Sequence, residues 1–288
     1  MNPHLQGETH AIPPRVLIVA GSDPSGGAGL QADVRTVTAL GGYPMTAVTA
    51  ITVQDTCRVE AVDPLPGELV ERQMRACLED VGADVIKLGM LATADIVRAV
   101  IQVGGDYPAI PIVADPVLAG TGGGTLLDGA GRDLFLSGLL PRLTLLTPNL
   151  PEAGILTGLD VDSPEATLRA AEVLGSSGAS VLITGGHRPG EEIVDLLLTG
   201  SVTHRFAAPR LPLPDRGGRE VGCRGTGCIL TSAIAVGVAE KLQLVAAIVR
   251  ARAFLRVGLA ASLPLGAGQR LMTMVATPRR EGFLGDGG

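Results

Sequence analysis

The chain has 288 residues, with 29 acidic against 23 basic side chains and a formal charge of −6, which excludes a protein that grips nucleic acid by neutralising its phosphates. Apolar residues make up 46% and charged ones 18%, a composition that builds a core and not a disordered chain. Aromatics are only 2%, so no stacking platform for single-stranded nucleic acid is available.

Residues 16–20 form a compact apolar run closed by Gly21, the pattern of a buried strand. A Gly-rich turn follows, and residues 30–40 carry helical spacing. Residues 45–53, rich in Thr, Val and Ile, read as a second strand. An amphipathic helix over 68–81, a strand over 85–88, a helix over 92–103 and a strand over 110–114 come next. The strand pattern recurs at 143–146 and 181–183, with helices near 150–156 and 164–174 between them. This alternation predicts βαβ units, hence an α/β fold with a central, mainly parallel sheet flanked by helices on both faces.

From Glu192 the texture changes. Residues 193–198 and 202–206 flank Thr199-Gly200-Ser201, which predicts a small β-hairpin at the sheet edge. Helices resume over about 227–238 and 242–261. With no internal repeat, linker or low-complexity block, one domain is expected over 15–265. Flexible segments are expected on either side, over 1–14 and 266–288.

Cys57, Cys77, Cys223 and Cys228 show neither C-x-x-C spacing nor the density of a disulfide scaffold, which fits a reduced, cytoplasmic setting. Residues 1–15 are polar and lack the apolar stretch of a signal peptide. No run of 18 apolar residues exists, so no membrane partner is expected.

Open parallel sheets bind ligands at the carboxyl ends of their strands. Here those ends carry glycine and polar residues: Gly21 onward to Gly29, Gln54-Asp55, Gly89-Met90, Asp115-Pro116, Thr147-Pro148-Asn149 and Thr184 to His187. Neither a Walker A loop nor a dinucleotide fingerprint follows the first strand. The best phosphate-binding candidate is Arg224-Gly225-Thr226-Gly227-Cys228 ahead of an apolar helical stretch. Glycines there let backbone N–H groups converge on an anion, and the helix dipole would favour a thiolate at Cys228. The alternative is an ordinary Gly-rich helix start.

The run from Ala20 to Asp33, AGSDPSGGAGLQAD, resembles the signature of the hydroxymethylpyrimidine/phosphomethylpyrimidine kinases, a thiamine-pathway branch of the ribokinase-like superfamily. Six further motifs follow in the family's order: VQDTC ending at Cys57, KLGML from Lys87, DPV from Asp115, TPNLPEA from Thr147, GGH ending at His187 and GTGC ending at Cys228. The resemblance covers roughly residues 15–262. It implies ATP- and Mg2+-dependent phosphorylation of 4-amino-5-hydroxymethyl-2-methylpyrimidine and then of its monophosphate, by a homodimer.

By the same resemblance, Gln54 binds the pyrimidine, whose donor–acceptor edge suits a carboxamide; on its own it reads as a solvated loop residue. Gly21 and Ala28 lie where backbone passes the substrate, Met90 covers a ring face or packs in the core, and Asp33 lies at the substrate end or on a helix surface. Cys228 stands in the position of the catalytic base. Gly225, Thr226 and Gly227 supply amides to the transferring phosphoryl group. Asn149 and Glu152, with Asp115, surround magnesium and the ATP phosphates, although N-x-x-E is also the spacing of a helix capping box.

The chain departs from the family in its lysines. Thr121 and Thr184 stand where the family usually has Lys, each removing a phosphate-facing charge. Arg224 stands where the family commonly has His, and is expected to restore a cation beside the phosphates. Two alternatives therefore accompany the leading function: a pyridoxal-type kinase, and a catalytically weak pyrimidine-binding homologue.

Overall fold

The computed structural model describes residues 12–120, 124–214 and 217–273. Its strands are β1 (Arg15–Ser22), β2 (Tyr43–Gln54), β3 (Val59–Pro64), β4 (Val85–Leu88), β5 (Ile112–Ala114), β6 (Leu145–Leu146), β7 (Ser180–Ile183), β8 (Glu192–Thr199) and β9 (Val202–Pro209). They form one sheet in the order β3-β2-β1-β4-β5-β6-β7-β8-β9. Pairing is parallel from β2 through β7 and antiparallel at both margins. The helices are α1 (Gly29–Ala39), α2 (Gly67–Asp80), α3 (Ala94–Asp106), α4 (Gly129–Leu134), α5 (Leu150–Thr157), α6 (Pro164–Gly175), α7 (Thr226–Ala239) and α8 (Leu244–Ala260).

Alternation along each strand splits the core in two. Leu17 and Val19 of β1, with Ile86 and Leu88 of β4, pack under α2, α3, α5 and α6. Val16, Ile18 and Val85 face the other way, under α1, α7 and α8. Each such side chain contributes about 1.5–3 kcal/mol on burial, so a one-residue slip of β1 would invert both cores at once. The same alternation turns Lys87 of β4 toward α1 and α7, where it meets Asp33.

The β8–β9 hairpin lies at the sheet edge, as its Thr-Gly-Ser turn predicts. Strand β3, which the sequence pattern does not reveal, covers the other edge. Its Glu60 and Asp63 are exposed, and such charges on an edge strand discourage pairing with other chains. Helix α4 is also unheralded, because Gly129 and Gly131 are poor helix formers. Asp128 makes it possible by accepting from the Gly131 N–H at 2.6 Å. A π-helical turn (Phe135–Leu139) and a 3₁₀ turn (Leu140–Arg142) then lead to β6.

A free tail from Gly266 is not what the structure shows up to residue 273. That segment returns across the sheet rim: Gly268 and Gln269 donate their N–H groups to Thr56 at 3.0 and 2.9 Å, and Arg270 N–H donates to the Gly222 carbonyl at 3.1 Å. Met272 is buried. These backbone bonds tie the strap down, so the ordered chain runs past 265. The remaining parts of the segments expected to be flexible (1–14 and 266–288), residues 1–11 and 274–288, lie outside the described residues. Among the described residues, no helix is long and apolar enough to cross a membrane.

Candidate active site

The strand order reverses beside β1: the chain goes from β1 to β2 on one side and later to β4 on the other. A crevice at the carboxyl ends of the strands is expected there, and Gly21 and Gly89 both line it. A Cβ on Gly21 would collide with the Met90 methyl, so Met90 sits directly over the glycine. The Gly-rich loop that follows is built around Asp23, fully buried. Its carboxylate accepts from Ser25 N–H at 2.8 Å, Ser25 Oγ at 2.7 Å and Ala28 N–H at 2.8 Å. The loop thereby brings Ala28 to the cavity wall.

Across the crevice α7 begins. Gly225, its N-cap, has φ +74°, and a Cβ there would collide with the Gly27 carbonyl oxygen. Only glycine satisfies both demands. No side chain caps the helix, so the first-turn amides are not closed off by a capping group. Gly227 lies against Asp115, whose Oδ2 would be 3.1 Å from a Cβ placed there.

Cys228, half-buried in the same turn, reaches the cavity. Its thiol is pushed up to about 12 by burial first, with Asp33 and Asp115 adding and Lys87 opposing. The thiolate expected at this helix start is thus opposed by desolvation, the largest influence on the group. The free protein holds Cys228 as a neutral thiol.

Beneath it, Lys87 Nζ lies 2.8 Å from Asp33 Oδ2, and both side chains are fully buried. Asp33 Oδ1 also accepts from Ser232 Oγ at 2.7 Å. Burial works to lower the Lys87 pKa, but the paired Asp33 carboxylate, helped by Asp115, outweighs it and the value is raised. Asp33 does not line the cavity: it faces inward from α1 as the counter-ion of Lys87, which corrects its expected place at the substrate. Lys87 itself was legible as a charge in an otherwise apolar strand.

Asn149 and Glu152 are a capping box at the start of α5: Asn149 Oδ1 accepts from Glu152 N–H and Glu152 Oε2 from Asn149 N–H, both at 2.9 Å. They nevertheless line the rim cavities with Asp115. Glu152 is pushed up to about 7, by burial first and then by Asp115. Asp115 rises to about 6, again by burial first, with Asp33 adding to it and Lys87 opposing. Two buried carboxylates that resist ionising side by side are a fit for a divalent cation, whose charge would relieve both.

Two cavities meet at this point. One, about 270 Å³, runs from Gly21, Ala28, Gln54 and Met90 to Cys228. The other, about 310 Å³, extends from Thr184 toward Arg210 and Arg256. Asp115, Asn149, Glu152, Thr226 and Gly227 belong to both. Arg224 lines only the first, its guanidinium directed at Asp23 and Gln54. Its expected place beside ATP phosphates is therefore corrected, because the buried Asp23 carboxylate draws the charge to the Gln54 end.

The structure adds residues to which the sequence reading assigns no role. His187 and Gln269 each line both cavities; burial first, then Arg210, lowers the His187 pKa. His187 was visible as the end of its GGH motif, whereas Gln269 lies beyond the matched motifs. Arg210 braces the wall of the second cavity, donating to the carbonyls of Gly190 at 2.8 Å and Gly186 at 3.0 Å. Thr121 lies outside the described residues; on either side of it Gly120 N–H donates to the Gly124 carbonyl at 2.9 Å.

This architecture is that of the ribokinase-like kinases. The structure of Staphylococcus aureus pyridoxal kinase in complex with AMP-PCP and pyridoxal matches with a TM-score of 0.82 and 30% identity, over 94% of this chain and 97% of that one. The sequence narrows the assignment: the Phosphomethylpyrimidine kinase family matches residues 23–273, and the chain belongs to that family. The hydroxymethylpyrimidine/phosphomethylpyrimidine kinase of Streptomyces coelicolor is 42% identical over 260 residues, 89% of this chain and 92% of that protein. The thiamine biosynthesis bifunctional protein ThiED of Geobacter sulfurreducens is 39% identical over 254 residues, 88% of this chain; the match spans 50% of that protein's length.

Proposed function

We propose that the protein phosphorylates 4-amino-5-hydroxymethyl-2-methylpyrimidine with ATP, and then its monophosphate to the diphosphate, for thiamine biosynthesis. The observation that carries this reading is the meeting of two cavities at Asp115, Thr226 and Gly227, with Cys228 on the wall of the first beside that junction. A ring held between Gln54 and Met90 directs its hydroxymethyl group toward that junction. ATP occupies the second cavity, with its transferring phosphoryl group at the amides of Gly225, Thr226 and Gly227.

The substrate oxygen attacks the γ-phosphorus, the bond to the β-bridging oxygen breaks, and ADP leaves. Cys228 accepts the hydroxyl proton through its sulfur. A thiol held neutral must first lose its own proton, which passes to solvent, and the resulting thiolate then takes the hydroxyl proton as the oxygen attacks. Asp115 and Glu152 would hold Mg2+, which supplies charge neutralisation on the phosphates. Among the described residues no three His, Cys, Asp or Glu side chains gather around one point, and a Mg2+ held by two carboxylates completes its shell with water and phosphate oxygens. Thr184, where the family usually has Lys, lines the nucleotide side together with Arg210. We further infer that the protein works in the cytoplasm as a homodimer, with exposed Tyr43, Ile51 and Val53 of β2 available to the interface; a monomer mass by light scattering would overturn the dimer.

The test is incubation with ATP, Mg2+ and the pyrimidine alcohol, with products followed by mass. Both phosphorylated products are expected. Binding without product would select the weak-binding alternative. The structural likeness to pyridoxal kinase keeps pyridoxal as the competing substrate, and faster turnover of pyridoxal than of the pyrimidine would overturn the proposal.

A further inference from the structure

The Gln54 carboxamide has two flip states, which exchange its donor and acceptor. Its surroundings select one of them twice over. Arg224 Nη2 is bonded to Gln54 Oε1, and a guanidinium has no acceptor, so the atom facing it must be the carbonyl oxygen. On the other side, Gln54 Nε2 lies 2.7 Å from Thr52 Oγ1. The single hydroxyl hydrogen of Thr52 is already committed to the Ser22 carbonyl at 2.8 Å, so this oxygen can only accept. The atom facing Thr52 must therefore be the amide nitrogen. Arg224 is itself buried, 4% exposed, and anchored through Nε to Asp23 Oδ2 at 3.3 Å, the carboxylate around which the Gly-rich loop is built.

We propose that Arg224 and Thr52 are specificity-determining positioning residues: together they lock the Gln54 amide so that the substrate cavity reads a ring edge by donor–acceptor order. This rests on the pyrimidine reading above. The locked amide retains one Nε2 hydrogen and one Oε1 lone pair for a ligand. A 4-aminopyrimidine edge matches them, its ring nitrogen accepting from Nε2 and its amino group donating to Oε1. The 4-oxo counterpart presents the reverse order, a ring N–H and an exocyclic oxygen. It can pair only if the amide flips, and flipping breaks both the Arg224 and the Thr52 bonds. Arg224 thus acts at the base-reading end although it adjoins the phosphate-binding turn in sequence.

The test compares calorimetric binding of 4-amino-5-hydroxymethyl-2-methylpyrimidine and its 4-oxo counterpart. The proteins are the unaltered chain, Arg224→Met, Thr52→Val, Gln54→Ala and the Arg224→Met/Gln54→Ala double variant. The unaltered protein is expected to prefer the amino ring by about 100-fold, since the wrong order leaves buried polar groups unpaired. Arg224→Met and Thr52→Val should each cut that preference to below about tenfold, because each releases one side of the lock. Thr52→Val does so without touching a charge, which covers the case in which Arg224→Met fails to fold. In the Gln54→Ala background, Arg224→Met should change the preference less than about twofold, since it acts through Gln54. An undiminished preference in both single variants overturns the lock while leaving the pyrimidine reading standing. Failure of the unaltered protein to bind either ring overturns both.

Discussion

Glu152 offers a test in which the two roles of one side chain pull stability in different directions. As a member of the α5 capping box it accepts from the Asn149 N–H at 2.9 Å, a contact that Gln at this position keeps through its Oε1. As a buried acid beside Asp115 it is held at about 7 instead of the ordinary 4.5. A folded-state value above the unfolded one makes stability greatest below about pH 4.5 and progressively lost as pH rises through 7. That displacement penalises the charged form by roughly 3 kcal/mol above pH 7. Glu152→Gln removes the charge but also turns one of the two oxygens that serve the Asn149 and Leu118 backbone into a donor, so its melting temperature relative to the unaltered protein should be roughly 6 °C higher at pH 8 than at pH 4.5. Thermal unfolding without nucleotide or Mg2+ measures this directly. Turnover at pH 8 should fall by about 10²-fold or more over the same change, because a phosphate-side charge partner is gone. A variant equally destabilised at both pH values, with turnover intact, would show that Glu152 serves only as a helix cap and would refute its place beside the cation.

Cys228→Ala should lower turnover about 10²–10⁴-fold, the span of a lost general base, while calorimetry finds pyrimidine affinity within threefold; near-normal turnover would remove Cys228 from the chemistry. Gly225→Ala should cost about 2–3 kcal/mol in denaturant unfolding, since it demands φ +74° of an L-residue and drives a methyl into the Gly27 carbonyl. An unchanged midpoint would mean that the turn before α7 relaxes freely.

The parallel sheet was legible because its strands are short, apolar on both faces and separated by helical spacing, as at 85–88 and 181–183. Strand β3 was not, since VEAVDP alternates charge with small apolar residues and gains its identity only by pairing with β2. Helix α4 was hidden by its glycines and is made by the Asp128 cap. Within the site, residues at strand ends were readable by position: Gly21, Gln54, Met90, Asp115 and Asn149 all reach the rim. Asp33 and Arg224 were misplaced for one shared reason. Each has a buried counter-charge far away in sequence, Lys87 for one and Asp23 for the other, and no local pattern announces such a pairing. Gln269 was missed because the strap that carries it is seated by backbone bonds to Thr56 and Gly222, which composition does not encode.

Those two buried pairs divide the electrostatic work of the rim. The Arg224–Asp23 pair spans the cavity from the start of α7 to the Gly-rich loop and spends its positive charge on holding Gln54. The Lys87–Asp33 pair sits under the helix start, and Asp115 and Cys228 share its cation. The chain has only two lysines, Lys87 and Lys241, yet a lysine occupies this point. A Cβ on Gly89 would lie 3.3 Å from Nζ, so the glycine leaves room for the buried ammonium. A buried ion pair is weak evidence for stability. Here it sets a fixed positive charge beside Asp115 and the Cys228 thiol, the groups that the proposed reading engages in phosphoryl transfer, so on that reading its role belongs to the site rather than to the core.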